Sequence, residues 1–351
     1  MRAISAADAV SPAIQRTREF LFRPFTWGTY LKLSLVAMVT EGFGSNFQSS
    51  EHTRPSPLHG PAIQSLSDIP PIWIAAVVAG VLVAMVIAVV VFYVVTRLRF
   101  AYFHCLIHNT RLIRTGWRLY REQAMRFFWL NLGVGFCYLL LVALISLPFI
   151  AGFWRLFRDS SHGGQLNVGL LLSLVLPLIP VILVFVLGAF LADVVLRDWM
   201  LPHFAVDDAS AGEAWARVWT AFKAEKKQFL VYALLRVVLP AIAAVALFFV
   251  LLVPGLILAG VVAMIEYSVH SAFAGAAGAS ALIGLLLEVF FGVLAFGFAL
   301  LAGACLGGPV STGVREYALM FYGGRYQALG DILYPPPPPP PSPMARAAEF
   351  A

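Results

Sequence analysis

The chain has 351 residues, of which 60% are hydrophobic and 12% are charged, and its mean hydropathy is +0.85. Soluble domains usually carry about 25% charged residues, so this composition excludes an ordinary soluble globular protein. The net charge is +6, and because the basic residues flank apolar runs, it indicates anionic lipid headgroups and not nucleic acid as the partner.

Six apolar runs are predicted to cross a bilayer as helices, since ~20 apolar residues span a hydrocarbon core of ~30 Å. The clearest run, from Ile72 to Val95, contains no charged residue, whereas the first is short and contains Lys32 and Glu41. The fold class is therefore all-α, a polytopic transmembrane helical bundle with about six spans. The predicted spans are 27–44, 72–96, 127–150, 168–196, 229–252 and 279–305.

Residues 1–26, which precede the first span, are polar and basic and are predicted to form a cytoplasmic amphipathic segment. They contain no apolar core followed by a small-residue cleavage site, so a cleaved signal peptide is not expected. Residues 27–305 form the predicted transmembrane domain.

The segment 97–126 is predicted to be a cytoplasmic amphipathic helix with a basic stripe. Such a stripe beside a span attracts anionic lipid by about 1 kcal/mol per charge. The alternative is that these arginines only set the topology and solvate a helix face. The candidate headgroup ligands, at helical spacing, are Arg111, Arg114, Arg118 and Arg121.

The second cytoplasmic segment, 197–228, contains Ser210 and Glu213 at the spacing of a capping box, which predicts the start of another amphipathic helix. Trp215 and Trp219 share one face of this helix. They would sit at the lipid–water boundary or pack against the end of the bundle.

Two charges, Asp193 and Arg236, lie near the cytoplasmic ends of consecutive, antiparallel spans. We predict that they form a structural ion pair, because an unpaired buried charge is costly.

The stretch 254–269 allows three interpretations: a re-entrant segment, a bent continuation of the fifth span, or a seventh span. In the last span, Glu288 lies on a row of small residues four apart, which predicts that it faces the bundle interior. It is a candidate proton or ion site, or else a structural carboxyl group. The small residues of the row are Ala276, Ser280, Gly284 and Gly292.

After the last span, residues 306–334 are predicted to form a cytoplasmic juxtamembrane segment. Residues 335–351 contain seven consecutive prolines, which is typical of a disordered polyproline II tail. This tail is a possible docking segment for a protein partner.

The distribution of basic residues predicts the orientation. Segments that would be cytoplasmic hold 19 Lys and Arg, against three on the other side, Arg54, Arg155 and Arg158. Because positive flanks resist translocation, we expect both termini in the cytoplasm.

Motifs of common catalytic sites are missing from the sequence: no His-Glu-x-x-His, Gly-x-Ser-x-Gly or phosphate-binding Gly-rich motif occurs. His104 and His108 stand one helical turn apart, but no nearby residues complete a zinc site. We therefore predict no enzyme activity, no cofactor and no metal site.

Several short motifs resemble a group of bacterial polytopic membrane proteins of unknown function. More distantly, the chain is similar to the membrane domain of some glycerophosphodiester phosphodiesterases, whose catalytic barrel has no room here. The resemblance implies an inner-membrane location in a bacterium and no established activity. It is carried by Trp27, Tyr30-Leu-Lys-Leu33, Arg97-Leu-Arg-Phe100, Tyr232-Ala-Leu-Leu-Arg236, Arg315-Glu-Tyr-Ala-Leu319 and Gly323-Gly-Arg-Tyr326.

The leading functional hypothesis is a non-enzymatic membrane protein that organises lipids or partner proteins at the cytoplasmic face. The alternative is a transporter or channel that uses Glu288 and the proline-kinked helices.

Overall fold

A computed structural model of the protein describes residues 4–42, 71–161, 168–273 and 279–334. Within these ranges every regular element is helical. A π-helical turn, Val195–Met200, joins the sixth and seventh helices. The α-helices are α1 (Val10–Phe22), α2 (Trp27–Gly42), α3 (Pro71–Ile107), α4 (Ile113–Leu119), α5 (Arg121–Ser161), α6 (Val168–Val194), α7 (Leu201–Val206), α8 (Ala211–Ala224), α9 (Lys226–Phe273), α10 (Ala279–Gly323) and α11 (Gln327–Leu333).

Five helical stretches among the described residues are long and apolar enough to cross a membrane. The shortest has 33 residues, or roughly 50 Å at 1.5 Å per residue, which exceeds the hydrocarbon core. The protein is therefore an all-α, multi-pass membrane protein. The five stretches are Ala75–Ile107, Arg121–Arg158, Leu171–Val206, Lys226–Phe273 and Leu282–Gly323.

The first predicted span, 27–44, lies only partly within the described residues. Its described part is α2, which has 16 residues and is therefore only about 24 Å long. Leu33, Ser34 and Ala37 of this helix are buried, because α2 packs against α10 and α3. The helix belongs to the packed end of the bundle and is not one of the five stretches.

The three interpretations of 254–269 are resolved in favour of a continuous helix. α9 runs unbroken for 48 residues and contains both Pro240 and Pro254. Prolines are tolerated in membrane helices because neighbouring groups satisfy the freed carbonyls.

The segments predicted as separate cytoplasmic helices are largely extensions of the long helices. Residues 97–126 comprise the end of α3, the short α4 and the start of α5, and 306–334 comprise the end of α10 and α11. Residues 197–228 contain most of the π turn, α7, α8 and the first residues of α9. The predicted capping box of α8 is confirmed, since the Ser210 and Glu213 side chains each bond the other residue's backbone N–H.

Buried side chains collect at one end of the bundle, which we call the base. By contrast, none of the most apolar windows of the five long helices is buried within the chain. Both described ends of the chain meet at the base, where Arg325 donates to the Ile4 carbonyl at 3.1 Å. The base comprises residues 4–42, 95–128, 194–232 and 304–334.

Candidate functional site

A network of charges, most of them buried, lies where α2, α3, α6, α9 and α10 meet in the base. We call it the ion network. It contains four arginines and three carboxylates, so its formal charge is +1 when all are ionised. Its members are Glu41, Arg99, Asp193, Arg197, Asp198, Arg236 and Arg315.

Asp198 is the centre of the ion network and is 1% exposed. Its Oδ2 accepts hydrogen bonds from the Arg236 Nε at 2.9 Å and from the Tyr232 hydroxyl at 2.8 Å. Its Oδ1 accepts from the Arg315 Nη1 at 2.8 Å. This one carboxylate therefore ties the π turn to both α9 and α10.

Glu41, at the end of α2, joins the same network from the other side. Its Oε2 accepts from Arg197 and lies 3.3 Å from the Arg236 Nη2. Arg99 of α3 donates to the Thr40 carbonyl at 3.1 Å. These contacts explain why α2 carries a glutamate inside an apolar helix.

The π turn explains how two adjacent charged residues, Arg197 and Asp198, both become buried. A π turn closes i→i+5 hydrogen bonds, so consecutive side chains rotate less around the axis than in an α-helix. Both residues can then face the same interior. π turns of this kind are frequent at functional sites.

The ion network holds the helices together through charge pairs. Each of its three carboxylates lies within 3.3 Å of at least one guanidinium nitrogen, so none is a free base. In the described ranges no group of three or more metal-ligating side chains forms.

The predicted pair of Asp193 and Arg236 is corrected. Asp193 is bonded instead to Arg197, one turn along its own helix, at 3.0 Å. Arg236 is bonded to Asp198 and Glu41. Sequence reasoning therefore found two members of the ion network but not their partners.

The four predicted headgroup ligands do not form one helical stripe. Arg111 precedes α4, and its guanidinium donates to the carbonyls of Phe20 at 2.7 Å and of Arg23 at 2.5 Å, at the end of α1. The other three are exposed at the surface of the base: Arg114 and Arg118 on α4, and Arg121 at the start of α5.

Glu288 lies in the hairpin of α9 and α10, with its side chain 40% exposed. Its Oε1 is 3.1 Å from the Nδ1 of His270. Gly284 of the predicted row approaches Phe273 of α9, whereas Ala276 lies outside the described residues.

Two aromatic clusters border the base. On α8, the rings of Trp215 and Trp219 stack at 6.0 Å and remain about half exposed. The other cluster lies at the junction of α1 and α2, where burial raises the pKa of the Tyr30 hydroxyl, which donates to the Cys305 carbonyl. Its members are Phe22, Phe25, Trp27 and Tyr30.

Sequence reasoning missed five members of the site: Glu41, Arg99, Arg197, Asp198 and Arg315. The available signal was a set of single charges at the ends of long apolar runs, where an unpaired charge is costly. Spacing alone does not reveal that the π turn brings them together.

A family model described as a family of unknown function, DUF7544, matches residues 4–332. No curated protein and no solved structure matches the chain.

Proposed function

Because the chain belongs to DUF7544, a family of unknown function, we propose its role from its surfaces: it is a non-enzymatic membrane protein that organises anionic lipids around its base. In this proposal the base faces the cytoplasm of a bacterial cell, and the five long helices cross the inner membrane. The positive-inside bias of the sequence supports this orientation.

The observation that carries the proposal is the uncovered apolar surface of the five long helices. Their most apolar windows have no buried residues, while the same helices converge on a tightly packed base. Bulky side chains such as Leu183, Phe249 and Val293 are more than 60% exposed. Such an apolar surface is stable when lipid surrounds it.

The rim of the base has the composition that suits a lipid headgroup layer. Exposed tryptophans favour the membrane–water interface, and Lys223 lies over the ring of Trp219 at 5.3 Å. No hydrogen bond or ion pair joins Arg114, Arg118 or Arg121 to another described residue, which supports contact with phosphates.

The test is lipid enrichment in native nanodiscs extracted without detergent. We expect anionic phospholipid to be enriched around the wild-type protein, and the enrichment to fall several-fold when Arg114, Arg118 and Arg121 are all changed to Gln. The matched control changes the same three residues to Lys, which keeps the charge. Equal enrichment in all three proteins would contradict the role of these arginines.

The contact between His270 and Glu288 supports a second candidate function, transport of a small solute or ion. An ionisable pair inside a spanning hairpin is a feature of proton and ion pathways. Flux into proteoliposomes that is lost in Glu288→Gln would support transport and contradict the lipid-organising proposal. Flux that is equal with and without protein would contradict the transport function.

A further inference from the structure

An apolar groove of about 350 Å³ lies between α1 and the two long helices α9 and α10. Its volume falls within the range of ~300–1,000 Å³ that ligand pockets occupy. Its polar residues are Thr17, Arg18 and Tyr317. The apolar walls include Ala13 and Ile14 from α1, Leu239 and Ala243 from α9, and Val310 and Val314 from α10.

The position of the groove indicates what fills it. Two of its three walls belong to helices that are long and apolar enough to cross the membrane. The third wall, α1, presents Ile14 with 63% of its surface exposed. The groove is thus continuous with apolar surface that a bilayer covers, and a hydrocarbon chain fits it.

One edge of the groove carries a free positive charge. Arg18 is exposed and makes no hydrogen bond or ion pair with another residue of the described ranges. Arg16, on the same helix, is instead engaged by Glu316 at 3.2 Å and by the Leu106 carbonyl at 2.7 Å. Arg18 therefore remains available for a phosphate.

One further feature places a lipid headgroup here. Phe22 lines the groove and belongs to the aromatic cluster at the α1–α2 junction, and aromatic rings favour the headgroup layer. The hydroxyl of Tyr317, also in the lining, is buried and has no hydrogen-bond partner among the described residues. Because that oxygen is fully buried, it does not contact the occupant of the groove.

We propose that this groove binds one anionic phospholipid, with an acyl chain between α1 and the α9–α10 pair and the phosphate at Arg18. The inference rests on the proposed lipid-organising function and deepens it by naming a site and a ligand.

The experiment uses the full chain, reconstituted with phosphatidylglycerol, and measures by native mass spectrometry the fraction that retains one lipid. Ala243→Phe, which fills the groove, should lower this fraction at least fivefold, whereas Ala244→Phe on the neighbouring exposed position should leave it unchanged. Arg18→Gln should lower it about fivefold, the effect of about 1 kcal/mol per charge near the surface. The control Arg155→Gln removes a charge on α5, at the end of the bundle away from the base.

A photoactivatable phosphatidylglycerol with a reactive acyl chain tests the wild-type protein directly and does not depend on variant folding. Adducts within residues 10–22 and 309–317 support the groove. Adducts confined to other segments, or equal lipid retention in Ala243→Phe and Ala244→Phe, overturn it. In that case anionic enrichment in native nanodiscs would still uphold the proposed function, and its loss would reject both.

Discussion

Arginines in the base bind backbone carbonyls at the ends of helices. The last carbonyls of a helix have no partner within it, and a cation near them is stabilising. Arg99 donates to Thr40 near the end of α2, and Arg97 donates to Trp117 near the end of α4. Some of the arginines that predict the orientation therefore also satisfy carbonyls at helix ends.

Arg111 illustrates the difference between a structural and a lipid-binding arginine. We expect Arg111→Gln to lower the stability of the protein by about 1–2 kcal/mol, because carbonyls at the end of α1 lose a charged donor. Thermal unfolding of the detergent-solubilised protein, followed by size-exclusion chromatography, measures this effect. Arg114→Gln is the control with no expected change in stability. An unchanged melting temperature for Arg111→Gln would contradict the capping role.

Asp198 is predicted to be the most sensitive charge of the ion network. Asp198→Asn keeps the side-chain shape but leaves Arg236 and Arg315 without their shared carboxylate, so we expect a loss of about 3–5 kcal/mol. The matched change Asp193→Asn should cost much less, because that carboxylate is 39% exposed and, among the described residues, pairs only with Arg197. The same thermal assay compares the two. Equal losses would reject Asp198 as the centre.

At the scale of helices, α2 is held by a close approach to α10. A Cβ atom at Gly308 would lie 2.6 Å from the Cα of Ser34, which is too close for any side chain. The backbones of the two helices therefore meet at a position that only glycine permits. The Tyr30 hydroxyl, which donates to the Cys305 carbonyl at 2.5 Å, fixes the same pair one turn away.

Gly308→Ala should consequently separate α2 from α10 and lower stability by about 1–3 kcal/mol, the usual cost of overpacking. Gly307→Ala is the control, since a Cβ there meets no atom within 4 Å. Limited proteolysis between α2 and α3 reports the release of α2. Faster cleavage in both variants, or in neither, would contradict this account of the contact.

The capping box of α8 gives a pH dependence. Hydrogen bonds from the backbone and side chain of Ser210 hold the pKa of Glu213 below its usual range. Because the pKa is lower in the folded state, ionised Glu213 stabilises the fold at pH values above the unfolded pKa of about 4.3. This stabilisation is lost as the pH falls through the folded-state pKa. Amide exchange of residues 211–214, corrected for intrinsic rates, should therefore accelerate below pH 4.

Ser210→Ala tests the same cap at neutral pH. Removing an N-cap side chain costs about 1 kcal/mol, so the first turn of α8 should exchange faster at pH 7 and lose most of its acid sensitivity. If the variant retained the wild-type pH profile, the sensitivity would have to arise from another carboxylate.

For the whole molecule, the sequence predicts the long helices well because hydrophobic length is a local property of the chain. The five long apolar helices overlap five of the six predicted spans. The packing of α2, which lies in the predicted span 27–44, could not be predicted from the sequence because it depends on Gly308, some 270 residues away. The partners of Asp193 and Arg236 were missed because the π turn rotates Arg197 and Asp198 inward.

Accessibility of single cysteines in intact cells tests the proposed orientation. Thr115, on α4 of the base, and Phe157, near the far end of α5, are both exposed. In a background without the native cysteines, an impermeant maleimide should label Phe157→Cys and not Thr115→Cys. The opposite labelling pattern would place the base outside the cytoplasm.

The interlocking of α1 with α10 has a consequence for biosynthesis. Arg16 of the first helix reaches its carboxylate partner, Glu316, only after 300 further residues have been made. At ~5–20 residues per second, the ribosome needs roughly 15–60 s to supply that partner. During this interval α1 has no final position, and every truncated product that ends before α10 leaves the membrane insertion machinery with an unfinished base, exposed to quality-control proteases.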